Sequence, residues 1–275
     1  KADVLIKVNP FTEQEADMMK EGQVVFSLLF HQTNASLCEK LASKKVSSFS
    51  MDAIPRISRA QSMDVLSSQS NLAGYKAVLL GADEMTKIFP LMMTAAGTIQ
   101  PSKVLIYGVG VAGLQAIATA KRLGAVVEAT DVRMETKEQA ESLGARFITV
   151  EGQADSEGGY AKEVSEEYKQ KQKEAVNKSL FNADLVITTA LVPGRKAPVL
   201  INKDQVGQMK RGAVVVDMAV EQGGNCEMSE AGKTVETNGV KIMGIPNLPS
   251  TLATNASELY AKNVMTFLLH LAPEG

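Results

Sequence analysis

The sequence predicts an α/β fold made of two Rossmann-like, doubly wound domains that are bridged by long helices. Short runs rich in β-branched residues alternate with longer stretches of helical periodicity, the pattern of βαβ units in a parallel sheet. Breaks in this pattern near residues 97–102 and 245–250 separate a central segment from two flanking pieces. Hydrophobic residues make up 45% of the 275-residue chain, which is enough to bury a sizeable core.

The individual elements follow from the length and period of each apolar run. Strands are predicted at residues 3–8, 24–29, 45–50, 103–107, 126–130, 147–150, 184–188, 213–217 and 240–243. Helices are predicted at residues 34–43, 112–123, 135–143, 160–180, 203–209 and 254–271, and the stretch 62–93 reads as mostly helical.

The two breaks divide the chain into three segments. Residues 1–97 are expected to form a partial first α/β domain with one bridging helix. Residues 98–245 are expected to form a Rossmann domain, and residues 246–275 a return helix that packs on the first domain. The chain opens directly on a buried-strand pattern at residues 2–8, and a sheet rarely begins at the first residue of a complete protein. We therefore expect the first domain to be truncated at its N-terminus.

Composition excludes several classes of function. The net charge of −2 gives no basic surplus for binding nucleic acid. Cys38 and Cys226 are far apart and form no C-x-x-C motif, as expected of free thiols in a reducing compartment. The longest apolar runs, 24–30 and 264–271, are shorter than the roughly 18 residues that a membrane-spanning helix needs. With only His31 and His270 and no metal-ligand spacing, no metal site is predicted.

A glycine-rich turn lies between the predicted strand and helix that open the central segment. It carries Gly108, Gly110 and Gly113 in the spacing G-x-G-x-x-G, and Asp131 ends the following strand, 126–130. The glycine spacing alone is a weak signal, but the full order of strand, turn, helix, strand and acid is typical of dinucleotide-binding domains. The first glycine permits the tight turn, the second lets a pyrophosphate approach the backbone, and the third lets the helix pack on the strand.

The acid at the end of the second strand favours NAD(H) as the cofactor. Asp131 would accept hydrogen bonds from the adenosine ribose hydroxyls and would repel a 2′-phosphate. Arg133 weakens this preference for NAD(H), because a nearby arginine can bind the 2′-phosphate of NADP(H). The other interpretation of this segment is a glycine turn that serves packing alone.

Two loops follow strands of the same domain. Thr189, Ala190 and Leu191 come after the strand predicted at 184–188, and Glu221 lies in the loop after 213–217. Ligands of doubly wound sheets bind outside the carboxyl ends of the strands, so both loops could contact the nicotinamide half of the cofactor. Ordinary connecting loops are an equally good interpretation of the pattern.

A polar segment, residues 55–71, precedes a long helical stretch. Gln61, Asp64 and Ser67 are spaced by three, so they could share one helix face and bind a ligand there. A solvated helix start capped by Ser62 or Asp64 explains the same residues without any ligand.

Several long, ordered motifs resemble the NAD(H)-binding component of proton-translocating NAD(P) transhydrogenase, and alanine dehydrogenase shares the same fold. The resemblance extends through nearly all of the chain. The segments that carry it are 56–64, 66–68, 71–75, 94–97, 108–114, 137–139, 159–162, 189–191, 193–194 and 223–226.

The resemblance implies roles for individual residues. On the nicotinamide side it implies Arg56, Gln61, Asp64 and Ser67; around the adenosine ribose and phosphates it implies Asp131, Val132, Arg133, Val111 and Ala112. A loop that closes over the nucleotide would carry Gly159 and Tyr160, with further contacts from Gln172, Thr189, Ala190, Leu191 and Glu221. Val164 departs from the family, which often has Met at that position of the loop.

The resemblance also implies an activity and partners. Hydride would pass directly from the nicotinamide of NAD(H) to NADP held by a second component, and a third component would span the membrane and conduct protons. The chain would be an NAD(P) transhydrogenase component, an oxidoreductase that works as a homodimer. It would be a soluble domain peripheral to a membrane, on the cytoplasmic face in bacteria or the matrix side in a eukaryote.

Two other functions remain open from the sequence. An alanine-type, NAD-dependent amino-acid dehydrogenase would need a side chain that accepts the substrate's proton, usually His or Lys. His31 does not align with the functional histidine of alanine dehydrogenase; that position lies nearer Leu29. A non-catalytic NAD sensor would bind the nucleotide and transfer no hydride.

Overall fold

The computed structural model describes residues 2–150, 166–192 and 194–272. The chain forms two compact units, one of Lys1–Ser70 with Leu252–Gly275 and one of Asn71–Thr251. Of Glu166, Tyr168 and Lys169 only the backbone is described.

The first unit is built on a three-stranded parallel sheet. Its strands β1 (Val4–Ile6), β2 (Val24–Ser27) and β3 (Ser47–Ser50) lie in the order β1-β2-β3. The helices are α1 (Glu13–Asp17), α2 (Ala35–Ser43) and, from the C-terminal piece, α8 (Ala253–Leu271).

Alternation along β2 gives this sheet two apolar faces. Val25 packs in a cluster with Leu37 and Leu41 of α2, whereas Phe26 packs in another with Val264 of α8. Helices therefore cover both faces, as a doubly wound arrangement requires.

The second unit is built on a seven-stranded sheet. Its strands are β6 (Lys103–Tyr107), β7 (Val126–Thr130), β8 (Arg146–Phe147), β9 (Leu185–Thr188), β10 (Val214–Asp217), β11 (Lys233–Thr237) and β12 (Val240–Gly244). They lie in the order β11-β12-β10-β9-β6-β7-β8, and all pairs are parallel except β11 with β12. Counted in chain order, the six parallel strands have the 3-2-1-4-5-6 arrangement of the Rossmann fold, and the order reverses between β6 and β9.

Helices and one separate hairpin complete the second unit. Its helices are α3 (Val65–Glu84, which starts in the first unit), α4 (Val111–Arg122), α5 (Lys137–Ser142), α6 (Glu166–Asn182) and α7 (Lys203–Gln208). Strands β9 and β10 are buried along their whole length, because apolar clusters cover both faces of the sheet. The hairpin of β4 (Met92–Thr94) and β5 (Gly97–Ile99) is antiparallel, and all of its strand residues are exposed.

The predicted fold class is confirmed, and a strand overlaps each of the nine predicted ranges, although β8 shares only Phe147 with the range 147–150. The prediction of helix through residues 62–93 is wrong at its end, because α3 stops at Glu84 and Met92 and Met93 belong to the hairpin. The edge strand β11 and the short helix α1 were not predicted. β11 has an exposed, polar composition, which gives no buried-strand pattern to read.

The boundary between the two compact units falls earlier in the chain than the predicted break at 97/98. It lies within α3, at Ser70 and Asn71. The reason is packing: Ala73, Ala77 and Val78 of α3 are buried in the core of the second unit. Periodicity cannot reveal this, since the helix continues without a break through the point where its neighbours change.

Candidate dinucleotide-binding site

Two glycines of the turn after β6 are required by the chain's own packing. Gly108 has a φ of +93°, and a Cβ there would lie 2.6 Å from the Thr189 hydroxyl oxygen. A Cβ on Gly113 would lie 1.9 Å from the Gly108 carbonyl oxygen. Any side chain at either position would force the strand-to-helix turn apart, as the sequence motif predicts.

Gly110 differs from its neighbours, because a Cβ there would meet no atom of the described residues within 4 Å. Its backbone is also in an ordinary region, with φ at −86°. Neither strain nor internal packing therefore explains a glycine here. The space that a side chain would fill lies directly beside the start of α4, where an external group could approach the backbone.

Gly110 is the N-cap of α4, a helix of 12 residues. The first helical hydrogen bond runs from the Leu114 N–H to the Gly110 carbonyl oxygen, at 2.8 Å. The N–H groups of Val111, Ala112 and Gly113 precede that bond and point out of the helix start, where the helix dipole favours an anion. This is the environment that a diphosphate requires.

The start of α4 is supported from behind by α3. A Cβ on Gly74 would lie 2.1 Å from the Ala112 carbonyl oxygen, so the two backbones approach more closely than any side chain permits. In the sequence, Gly74 stands out only as part of the motif at residues 71–75, which indicates no role for it. Its signal is visible only as a contact between residues 38 positions apart.

Asp131 follows β7 directly, at the same sheet edge as the glycine turn. Its Oδ2 accepts a hydrogen bond from the Val109 N–H at 2.7 Å, which ties the acid to the turn. Arg133 donates its backbone N–H and its Nε to Oδ1, at 2.9 and 3.0 Å, and its Nη2 to Oδ2 at 2.9 Å. Burial on its own would raise the pKa of this carboxyl, but the hydrogen bonds from Arg133 and Val109 outweigh it and lower the pKa.

Val132, which lies between Asp131 and Arg133, points away from the protein. Val132 is 97% exposed, whereas the Asp131 side chain is only 6% exposed. The ribose-binding run predicted from the sequence thus places one buried acid, one exposed apolar side chain and one half-exposed guanidinium at the end of β7.

The loop after β9 is attached to the glycine turn. The Thr189 hydroxyl donates to the carbonyl oxygens of Tyr107 and Gly108, at 3.2 and 3.1 Å. Ala190 is held by Asn225, whose side-chain oxygen accepts from the Ala190 N–H at 3.0 Å and whose Nδ2 donates to the Ala190 carbonyl at 2.8 Å. Leu191 follows with its side chain about half exposed.

Asn225 is itself held by a buried acid at the end of β10. Asp217 is fully buried and accepts hydrogen bonds at both carboxylate oxygens. The donors are the Thr188 and Ser229 hydroxyls and the backbone N–H groups of Ala219, Asn225 and Cys226. Sequence reasoning identified the loop but gave neither Asn225 nor Asp217 a role, since both act through contacts between separate loops.

Two further predicted residues have structural partners in this unit. Glu221 is exposed, and its Oε2 accepts from the Asn247 N–H at 3.0 Å. Gln172 on α6 donates its Nε2 to the Ile148 carbonyl at 2.8 Å, and its Oε1 is buried with no partner among the described residues. Gly159 and Tyr160, which the resemblance places in a closing loop, lie outside the described residues.

In the first unit, the structure joins two of the four predicted nicotinamide-side residues. Asp64 is 8% exposed; its Oδ1 accepts from the Ser67 N–H at 2.9 Å and its Oδ2 from the Ser67 hydroxyl at 2.6 Å. Asp64 thus caps α3, as the ligand-free interpretation of this segment predicted. Arg56 and Gln61 are exposed.

The expected single helix face of Gln61, Asp64 and Ser67 is wrong. Gln61 lies in a 3₁₀ helix, Ser58–Met63, and Asp64 is extended, with ψ at 93°. Only Ser67 lies within α3. The change of helix type at Asp64 breaks the periodicity on which a shared face depends.

These features together fit a dinucleotide. The open space at Gly110 suits a diphosphate, the start of α4 suits its charge, and the buried carboxylate of Asp131 suits a ribose diol. In the described residues of the chain no group of three His, Cys, Asp or Glu side chains could hold a metal ion. The second unit therefore has the features of a dinucleotide-binding domain of the Rossmann class.

Models of known protein families match nearly the whole chain and identify its family. Residues 1–73 match the N-terminal domain, and residues 77–275 the C-terminal domain, of the alanine dehydrogenase/PNT family. The chain belongs to this family.

Individual relatives agree with the resemblance found in the sequence. An NAD(P) transhydrogenase subunit alpha polypeptide of Rhodospirillum rubrum is 57% identical over 276 residues, which cover 97% of this chain and 72% of the relative. The crystal structure of transhydrogenase from Sinorhizobium meliloti matches with a TM-score of 0.91 and 49% identity, over 99% of this chain and 75% of that one. A solved L-alanine dehydrogenase matches less well, with a TM-score of 0.79 and 26% identity over 100% and 72% of the two chains.

Proposed function

We propose that this chain is the NAD(H)-binding component of an NAD(P) transhydrogenase and presents the nicotinamide for direct hydride transfer to NADP on a partner component. The observation that carries the proposal is the space at Gly110, which is open to an external group and lies beside the start of α4 and the turn bonded to Asp131. The transhydrogenase relatives support it, since they are far more similar in sequence than the alanine dehydrogenase.

Asp131 supports NAD(H) over NADP(H) as the nucleotide bound here. A buried carboxylate with a lowered pKa is ionised at neutral pH, so it accepts hydrogen bonds from ribose hydroxyls and repels a 2′-phosphate. Val109 and the backbone of Arg133 hold this carboxylate at the edge of the glycine turn.

The chemistry asked of the chain is positioning. Bound NAD(H) supplies the hydride, and its transfer between two nicotinamide carbons requires no proton at either carbon, so the chain needs no general acid or base. The start of α4 would bind the diphosphate, and Asn225 would keep Thr189 and Ala190 at a constant distance from the turn. From the resemblance, we assign Arg56, Gln61, Asp64 and Ser67 to the nicotinamide side.

The proposed partners are an NADP(H)-binding component and a membrane-spanning component that conducts protons. The chain would then lie at the membrane surface. Among the described residues, no helix has the length and apolarity to cross a bilayer.

We also propose a homodimer. Hairpin β4–β5 supports it, since an isolated two-stranded hairpin is marginally stable in water and this one exposes Met92, Met93 and Ile99. A second copy of the chain would remove these side chains from water. Sedimentation should give a dimer at micromolar concentration, and a monomer there would contradict the proposed dimer.

Substitution of Gly110 tests the binding site. Gly110→Ala places a methyl group in open space, so folding should be unchanged, whereas NADH affinity should fall by roughly tenfold or more because the diphosphate needs that space. Gly207→Ala, whose Cβ would lie 3.4 Å from Asn238 Nδ2, is the matched control and should bind NADH normally. Fluorescence titration with NADH and thermal melting measure the two properties.

The activity needs a separate experiment. The chain should reduce an NADP analogue with NADH only when an NADP-binding component is added, and Gly110→Ala should slow this reaction. Oxidation of alanine by the chain alone with NAD would overturn the proposal in favour of an alanine-type dehydrogenase. NADH binding with no transfer to any partner nucleotide would indicate a sensor.

A further inference from the structure

We infer that the Arg133 guanidinium competes with the adenosine ribose for Asp131 and thereby reduces the discrimination between NAD(H) and NADP(H). The inference rests on the proposed function, because it concerns the nucleotide proposed to bind beside Gly110. It gives Arg133 a role opposite to that of an ordinary ligand of NAD(H).

The hydrogen bonds of Asp131 leave little capacity for another donor. Each carboxylate oxygen accepts two hydrogen bonds: Oδ1 from the backbone and Nε of Arg133, and Oδ2 from Val109 and Arg133 Nη2. An ionised carboxylate has about four lone-pair positions. A ribose diol that donates to Asp131 must therefore displace a donor that belongs to the chain.

The four donors differ in how readily they can leave. The N–H groups of Val109 and Arg133 belong to the backbone at the turn and at the end of β7, so they can move only if the fold moves. The guanidinium belongs to a side chain that is 52% exposed, and water can solvate it once it swings away. The exchangeable positions are thus the two that Nε and Nη2 occupy.

The exchange has opposite consequences for the two nucleotides. The 2′- and 3′-hydroxyls of NAD(H) offer two donors, which replace the two guanidinium donors, so NAD(H) binds against the strength of the Arg133–Asp131 pair. In NADP(H) the 2′-hydroxyl is replaced by a phosphate, which has no donor for Asp131 but pairs well with a guanidinium. Arg133 should therefore weaken NAD(H) binding and strengthen NADP(H) binding.

Arg133→Ala tests the sign of the effect. The dissociation constant for NADH should fall by roughly three- to fivefold, since a half-exposed ion pair no longer competes. The dissociation constant for NADPH should rise by roughly tenfold with the loss of a charge-assisted partner. The backbone N–H of residue 133 and Val109 still hold the carboxylate in place, and calorimetric titration with each nucleotide measures both constants.

Two further variants identify the cause. Arg146→Ala is the control. It removes a similar ion pair, between Arg146 on β8 and Glu128 on β7, and should leave both dissociation constants unchanged. In an Asp131→Ala background, Arg133→Ala should no longer tighten NADH, because the competed group is gone. Thermal melting of each variant shows that it is folded.

The results separate this inference from the proposed function. If wild-type chain binds NADH but Arg133→Ala weakens or does not change that binding, Arg133 is a direct ligand or a bystander, and the inference is overturned while the proposed function stands. If wild-type chain binds neither nucleotide, the proposed function itself fails. Tightening of NADH that persists in the Asp131→Ala background also contradicts the competition.

Discussion

Asp131 and Asp217 stand in equivalent places, each at the carboxyl end of a parallel strand of the same sheet, yet their surroundings differ. Asp217 is fully buried, and its donors among the described residues are backbone N–H groups and short hydroxyls. Asp131 accepts half of its hydrogen bonds from a long, half-exposed guanidinium.

The difference teaches how one type of side chain serves two purposes. A carboxylate whose donors are backbone N–H groups and short hydroxyls is a fixed structural pin, because no donor can leave without losing its hydrogen bond. A carboxylate whose donors include an exposed arginine can exchange that donor for a ligand. Position at the strand end predicts neither behaviour; the identity of the donors does.

The largest expected effect comes from removing the structural pin. Asp217→Ala leaves the Asn225 and Cys226 N–H groups buried without a partner, so the free energy of unfolding should fall by about 3 kcal/mol or more. Urea denaturation measures it. Asp83→Asn, at an exposed position on α3, is the control and should change stability by about 0.5 kcal/mol or less. Equal stability of wild type and Asp217→Ala would remove the distinction between the two acids.

The next effect is on affinity rather than stability. Asp131→Asn keeps the shape but loses the charge, so NADH affinity should fall by roughly 10- to 100-fold, with a stability change of about 1 kcal/mol. Titration and melting of the same sample separate the two quantities. A larger loss of stability than in Asp217→Ala would show that Asp131 is the structural acid instead.

The smallest effect is on the pH dependence of stability. Because the folded-state pKa of Asp131 is lowered from its ordinary value of 3.8, the stabilisation it gives is fully present above that ordinary value and is lost as the pH falls through the lowered pKa. The difference in melting temperature between wild type and Asp131→Asn should therefore be constant from pH 7 to 5 and shrink only below about pH 4. A difference that shrinks between pH 7 and 5 would mean that the pKa is raised.

Much of the fold could be predicted because its signals are local. Eight of the nine predicted strands are rich in apolar or β-branched residues, the exception being 45–50, and a parallel sheet covered on both faces makes such runs easy to recognise. Edge strand β11 and hairpin β4–β5 were missed, because β11 is mostly polar and the two hairpin strands have three residues each, too few to show a period. The boundary between the two compact units lies within α3, where the helical periodicity continues unchanged although the packing neighbours of the helix change.

The candidate site divides in the same way. Gly108, Gly110, Gly113 and Asp131 lie in one short βαβ unit, so their spacing and their order among the predicted strands and helix predicted a dinucleotide site. The two hydrogen bonds between Asn225 and Ala190 join residues 35 positions apart, and no sequence spacing predicts them. Arg133 and Asp131 are only two positions apart, but their hydrogen bond could not be predicted from the sequence, because the rotamer of the arginine depends on its surroundings.

Taken alone, the order of residues determined the alternation of strands and helices, the glycine turn and the acid that follows it, because each depends on neighbours within about thirty positions. Tertiary structure alone decided which glycine leaves space for a ligand, which aspartate is a fixed pin and where the two units divide. Those properties depend on the donors and atoms that distant segments bring within contact distance, and free energies of a few kcal/mol at such contacts are set by burial and not by sequence spacing.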